Sequence, residues 1–251
     1  MAAYVSVYTR KIRPSSHQAR TAVAAERDPA LRRFLAEYPD SFFDWGDDPA
    51  FFAARVFLGD VRRASWGVCR RNLRARLAPG DLVVFFCARE AATTKGRWDY
   101  YFVGFATVGS APNREQIWRE ERYSAYRSFY NLLVRPEGQT FVHAEAFHPP
   151  HSDWARRRSA PYILFDSRPG MTEFDLVSPP HVAVYSGSLP ERWNQEPTAA
   201  HLENLLFRSR GRARRLRTSK TGFGHTYMKL SNDERETAAI RATLNRIMAK
   251  S

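Results

Sequence analysis

Residues 66–86 read Trp66-Gly67-Val68-Cys69-Arg70-Arg71-Asn72-Leu73-Arg74-Ala75-Arg76-Leu77-Ala78-Pro79-Gly80-Asp81-Leu82-Val83-Val84-Phe85-Phe86, and their order decides the fold. Arg70 to Leu77 has the spacing of one or two helical turns. Ala78-Pro79-Gly80-Asp81 ends them with turn-forming residues, and Leu82 to Cys87 is an unbroken apolar run of strand length, the kind a sheet buries on both faces. The polar stretch Arg89 to Arg97 separates this run from Trp98 to Val108. The two apolar segments therefore predict a β-hairpin with an extended loop.

Toward the N-terminus, Tyr4 to Tyr8 alternates as a strand does, and Asp28-Pro29 followed by Leu31, Phe34 and Leu35 predicts a capped helix. Phe42 to Pro49 is a turn-rich aromatic loop leading into a short helix from Pro49, with Asp48 as its cap. Toward the C-terminus, residues 114–133 show a helical face of Ile117, Trp118, Tyr126, Phe129, Tyr130 and Leu133. Tyr162 to Phe165 and Val182 to Tyr185 are further strands. A helix near 198–207, a strand from Thr226 to Leu230 and a final helix follow. Ser231 and Glu234 form a capping box for that last helix, and Ile240, Leu244, Ile247 and Met248 share the face it will dock. Strands and helices are interspersed, so the fold class is α+β.

The chain has 251 residues, the range of one domain with an appendage or of two small domains. With 43 % apolar and 14 % aromatic residues it can fill a core. A mean hydropathy of -0.51, without an uncharged apolar run of spanning length, argues against a membrane span. Thr9-Arg10-Lys11 cuts the first apolar stretch too early for a secretory signal, so the expected location is the cytoplasm. Cys69 and Cys87 form no CxxC pair and read as reduced thiols. The formal net charge of +13 makes a polyanion the first partner to consider. Residues 1–150 hold 22 basic and 16 acidic side chains, net +6, and residues 151–251 hold 17 and 10, net +7. Arg208, Arg210, Arg212, Arg214, Arg215, Arg217 and Lys220 lie in one run with no acid and account for the excess of the second half.

The segment quoted above, followed by Tyr101-Phe102-Val103-Gly104-Phe105-Ala106-Thr107-Val108, resembles the core of the PUA-like superfamily. The likeness is to EVE domains in particular, with their GV-R-N, GD-x-x-F-F and G-x-x-x-V pattern, more loosely to YTH and ASCH domains, and in layout to prokaryotic nucleotide-modification-associated domains. The resemblance implies a mixed β-barrel flanked by helices over residues 1–190. Residues 191–251 would then be a helical, Arg-rich C-terminal extension. It also implies recognition of a single base extruded from DNA or RNA. This chain departs from the EVE pattern after the Phe-Phe strand, where Cys87-Ala88-Arg89-Glu90 and an inserted loop replace a polar aromatic and a serine.

A flipped base needs aromatic faces and an edge partner. Trp45, Trp66 and Trp98 stand at loop positions, Tyr100 alternates with Trp98, and Asn72 offers both a donor and an acceptor. Arg70, Arg71 and Arg74 are placed to hold flanking phosphates, as are the seven cations of the 208–220 run. Thr218 to His225 has the composition of a phosphate nest or of a flexible turn; the turn is favoured, with His225 as a candidate phosphate partner.

Catalysis has no motif behind it: there is no Walker A loop, no G-x-S-x-G elbow, no zinc-deaminase set, and no Lys with an acid two positions before it. His143, Glu145 and His148 lack the helical spacing of hydrolytic zinc sites, so neither metal nor cofactor is expected. The expected function is a binding module for DNA or RNA that reads a modified or flipped base. One alternative is a nuclease or base-processing hydrolase on the same fold, using His143, Glu145, His148 or the Asp44–Asp48 loop. Another is a structural domain that docks an acidic protein.

Overall fold

The apolar run that opens at Leu82 forms a long central strand because its side chains are buried on both faces: Leu82, Val84 and Phe86 on one side, Val83 and Phe85 on the other. The structure is a computed structural model, and it describes residues 1–10, 48–90, 97–143, 158–176, 178–186, 189–193, 195–206 and 227–249. In chain order the elements are β1 (Ala3–Arg10), α1 (Phe51–Leu58), β2 (Ser65–Trp66), α2 (Arg71–Arg74), β3 (Leu82–Glu90) and β4 (Arg97–Ser110). They continue with α3 (Arg114–Arg119), β5 (Val134–Glu137), β6 (Thr140–His143), β7 (Ile163–Phe165), β8 (Thr172–Phe174), β9 (His181–Ser186), β10 (Leu189–Trp193), α4 (Pro197–Leu206), β11 (Tyr227–Ser231) and α5 (Glu234–Met248). The fold is α+β. No helix among the described residues is long and apolar enough to cross a membrane.

Two compact units divide the chain. The first joins Met1–Ile12, Gly80–Thr107 and Arg168–Ser251; the second joins Arg13–Pro79 and Val108–Ser167. In the first unit the strand order is β10-β9-β4-β3-β1-β11, with β1 parallel to β3 and the other neighbours antiparallel. β3 and β4 form the hairpin predicted from the sequence, with Phe85 opposite Gly104 and Leu82 opposite Thr107. The far edge of β4 carries β9 first and then β8. Gly104 sits at the β8 crossing with φ +131, where a Cβ would lie 2.1 Å from the Glu173 carbonyl oxygen, so only glycine fits. Among the described residues β10 and β11 end this path unpaired with each other, so the sheet is open and mixed where a closed barrel was expected.

The division expected at residue 190 also differs from the one observed. β11 pairs antiparallel with β1, and α5 lays Ile240, Leu244 and Ile247 into a core with Val5, Leu82, Val84 and Phe102. The C-terminal elements complete the first unit's sheet and core and are no separate extension. α5 starts later than its sequence signal: Asp233 caps it by accepting from the Glu236 N–H at 2.8 Å, while Ser231 bonds the Glu236 carboxylate from outside the helix.

In the second unit β2 pairs with β7, and β7 pairs with the last residues of β4, Val108 and Ser110. β5 and β6 form a separate two-stranded hairpin. Residues 114–133, expected as one helix, break into α3, two 3-10 turns at Glu121–Tyr126 and Tyr130–Leu132, and a left-handed Leu133 at φ 65. At the break Arg127 donates to the Ile117 carbonyl of α3 and reaches the Glu120 carbonyl, which also accepts the Tyr123 N–H of the following 3-10 turn.

Candidate functional site

Trp66 to Arg76, the first part of the stretch that carries the resemblance, is held by a buried polar cluster of the second unit. Asp48 stands at its centre. The Gly67 N–H donates to one carboxylate oxygen at 2.7 Å, and the Val68 and Cys69 N–H groups donate to the other at 2.5 Å each. Asn131 adds a side-chain bond at 2.7 Å. The sequence reading made Asp48 the cap of α1. Instead α1 begins after Ala50 without a side-chain cap, because the Asp48 carboxylate is consumed by donors 19 to 21 positions away.

The carbonyls of the same three residues are bonded as well. Arg74, fully buried, donates Nε to Cys69 O at 2.9 Å and Nη2 to Val68 O at 3.1 Å, and its remaining nitrogen reaches the Pro161 and Ala160 carbonyls. Arg114 donates to Gly67 O and to the carbonyls of Asn131, Leu132 and Arg158. Burial, with Arg74 beside it, pulls the Arg114 guanidinium down to about 9; it is still charged at neutral pH. All backbone N–H and C=O groups from Gly67 to Cys69 are thus satisfied inside the unit, as buried polar groups must be. Tyr162 closes the cluster, its hydroxyl bonded to Asn131 Oδ1 and Ser65 Oγ at 2.7 Å each, and burial pushes its phenol well above the ordinary value. Gly67 is required by close packing: a Cβ there would lie 2.2 Å from Asn131 O.

What this scaffold presents is the next few residues. Arg70 adopts a left-handed conformation at φ 52, the chain turns into α2, and Arg71, Asn72 and Arg76 are exposed. Residues 61–80 contain six arginines and no acid.

The expected site residues separate accordingly. Arg71 and Asn72 are on the surface, and Arg70 is buried just before α2. Arg74 is a correction: its guanidinium serves four carbonyls in the interior and has no access to a phosphate. Trp66, 1 % exposed on β2 opposite Ile163, is a core residue of the second unit, and Tyr100, 3 % exposed, lies in the core of the first. Neither ring has a free face on which a base could stack. Trp98 lies on β4 opposite Tyr185, with its side chain outside the described residues. Trp45, Arg208, Arg210, Arg212, Arg214, Arg215, Arg217, Lys220 and His225 also lie outside them.

For the enzymatic alternatives, His143 spends Nδ1 on the Leu133 carbonyl at 3.1 Å, while Asp44, Asp47, Glu145 and His148 fall outside the described residues. Among the described residues no group of His, Cys, Asp and Glu is placed to hold a metal ion. Cys69 and Cys87 are free thiols. Sequence reasoning missed Asn131, Arg114 and Tyr162, which act through contacts 17 to 83 positions apart that no local spacing announces. Comparison with models of known protein families, with curated proteins and with solved structures finds no match to this chain.

Proposed function

We propose that this chain is a nucleic-acid-binding protein of PUA-like architecture, in which Arg71, Arg76 and the cations of residues 208–220 contact phosphates and Asn72 reads the edge of a flipped or modified base. The observation that carries this reading is the exposure of Arg71, Asn72 and Arg76 on an acid-free segment whose backbone is fixed from inside. Exposed guanidinium groups at Arg71 and Arg76, directly after the internally bonded residues 67–69, suit a polyanion. Asn72 brings a donor and an acceptor to one point, as recognition of a base edge requires.

The division of labour follows from chemistry. Phosphate contacts are the same in every sequence and give affinity; the amide gives discrimination. Competition binding with modified and unmodified oligonucleotides tests it: Asn72→Ala should shrink the ratio between them while leaving the weaker affinity unchanged. An equal loss on both would mean that Asn72 does not read the base.

A further inference from the structure

The two buried guanidinium groups that bond the carbonyls of residues 67–69 also bond a second stretch of backbone. Arg74, with Nε and Nη2 on the Cys69 and Val68 carbonyls, donates Nη1 to the Pro161 carbonyl at 2.5 Å and to the Ala160 carbonyl at 3.4 Å. Arg114, which donates to the Gly67 carbonyl, also donates Nε to the Arg158 carbonyl at 3.3 Å. A guanidinium is a small rigid plane, so residues 158–161 are fastened beside residues 67–69 at two places. All of them belong to the second unit.

Both fastened stretches carry cations and hydrogen-bonding groups that reach the surface. Arg71, Asn72 and Arg76 follow the first and are exposed; on the second, Arg158 is half-buried and Ser159 exposed. No acid occurs in residues 154–165, as none occurs in residues 61–80. Of the unit's acids, Asp60 pairs with Arg62, Glu115 with Arg119, Glu120 with Arg122 and Glu121 with Arg127, while Asp48 accepts from the N–H groups of residues 67–69. The Arg114 guanidinium, pulled down by burial first and then by Arg74, is lowered further by the charge of Arg158. Two cationic stretches held in fixed register suit a partner whose negative charges repeat, and a phosphodiester strand carries one at every nucleotide. The planar fork of an arginine matches phosphate oxygens, and an exposed serine hydroxyl can donate to one.

We infer that Arg158 and Ser159 form a second phosphate-contact point beside that of Arg71 and Arg76, on one surface followed by a nucleic-acid backbone. This rests on the proposed function and extends its site to a stretch about 80 positions further along the chain, which Arg74 and Arg114 bring alongside the first.

The test uses the full-length protein and a labelled oligothymidylate, with affinity read by fluorescence anisotropy over a series of salt concentrations. Arg158→Gln should flatten the slope of log K against log[salt] by about 0.7, the worth of one contact on a single strand, and Arg158→Lys should keep the parent's slope. Ser159→Glu should weaken binding at low salt, and the loss should shrink as salt rises. The bond from Arg114 uses the backbone carbonyl of residue 158, so all three variants should keep the parent's thermal midpoint. If Arg158→Gln lowers the midpoint, Ser159→Glu decides: weaker binding at the parent's midpoint upholds the inference, and unaltered binding overturns it. A parent-like slope for Arg158→Gln, where Arg71→Gln with Arg76→Gln flattens it, would overturn the inference and leave the proposed function standing. If the unmodified protein binds no strand, both fail. If a glutamate oligopeptide binds in place of the strand and loses affinity in Arg158→Gln, the surface docks an acidic protein and the inference is wrong.

Discussion

Asn131 donates its side-chain amide to the carboxylate of Asp48 at 2.7 Å, across 83 positions of sequence. The bond ties Asp48, whose carboxylate accepts from the N–H groups of residues 67–69, to the 3-10 turn of Asn131, which also bonds Ser65 and Tyr162. Removing the carboxylate leaves the N–H groups of residues 67–69 without their acceptor and takes a favourable charge from near Arg114. Asp48→Ala is therefore expected to lower stability by about 3–5 kcal/mol, and Asp48→Asn, which keeps the shape, by about 1–3 kcal/mol. Urea unfolding measures both. A loss under 1 kcal/mol for the alanine variant would show that the carboxylate does not hold the segment.

Gly67→Ala should be similarly severe, since the new methyl meets the Asn131 carbonyl and the Tyr162 ring. Overpacking of this kind costs about 1–3 kcal/mol or more. The thermal midpoint of the variant reports it, and a midpoint equal to the parent's would mean that the close approach of residues 67 and 131 is not as described.

Tyr162 sets an alkaline limit. Its folded pKa is raised by burial, so its contribution to stability is complete below the unfolded value of about 10 and is lost as pH rises above it. Arg114 works in the opposite sense above about 9, because its folded pKa is lowered. The tyrosine part is isolated by comparing parent and Tyr162→Phe, whose stability should fall less steeply above pH 10. Identical pH profiles would remove Tyr162 from the account.

Much of the first unit was legible. Leu82 to Cys87 and Trp98 to Val108 are apolar runs of strand length bounded by turn residues, and α5 carries a clear helical face. What was not legible is long-range. Asp48-Pro49 before an apolar run reads locally as a helix cap, yet the carboxylate finds three better-aligned donors in residues 67–69. The rings of residues 117–133 keep helical spacing while the backbone between them breaks into 3-10 turns. Arg74 looks like a surface cation, and Trp66 and Tyr100 like pocket walls, until burial is known. β11 and α5 were set apart as an extension because pairing with β1 leaves no mark in the sequence around residue 190.

The role of α5 is checked by Leu244→Ala. Leu244 is fully buried in the core of the first unit, and its truncation should cost about 2–5 kcal/mol. A separable extension would lose almost nothing, so a calorimetric difference within error would restore the boundary near residue 190.

The central claim, that exposed arginines on a rigid acid-free segment contact phosphates, is tested most directly by the salt dependence of oligonucleotide binding. For the double variant Arg71→Gln, Arg76→Gln, the slope of log K against log[salt] should flatten by about 0.7 per lost contact on a single strand, or about 0.9 on a duplex. The ratio between preferred and unpreferred oligonucleotides should hold. A slope equal to the parent's, with binding intact, would contradict the account.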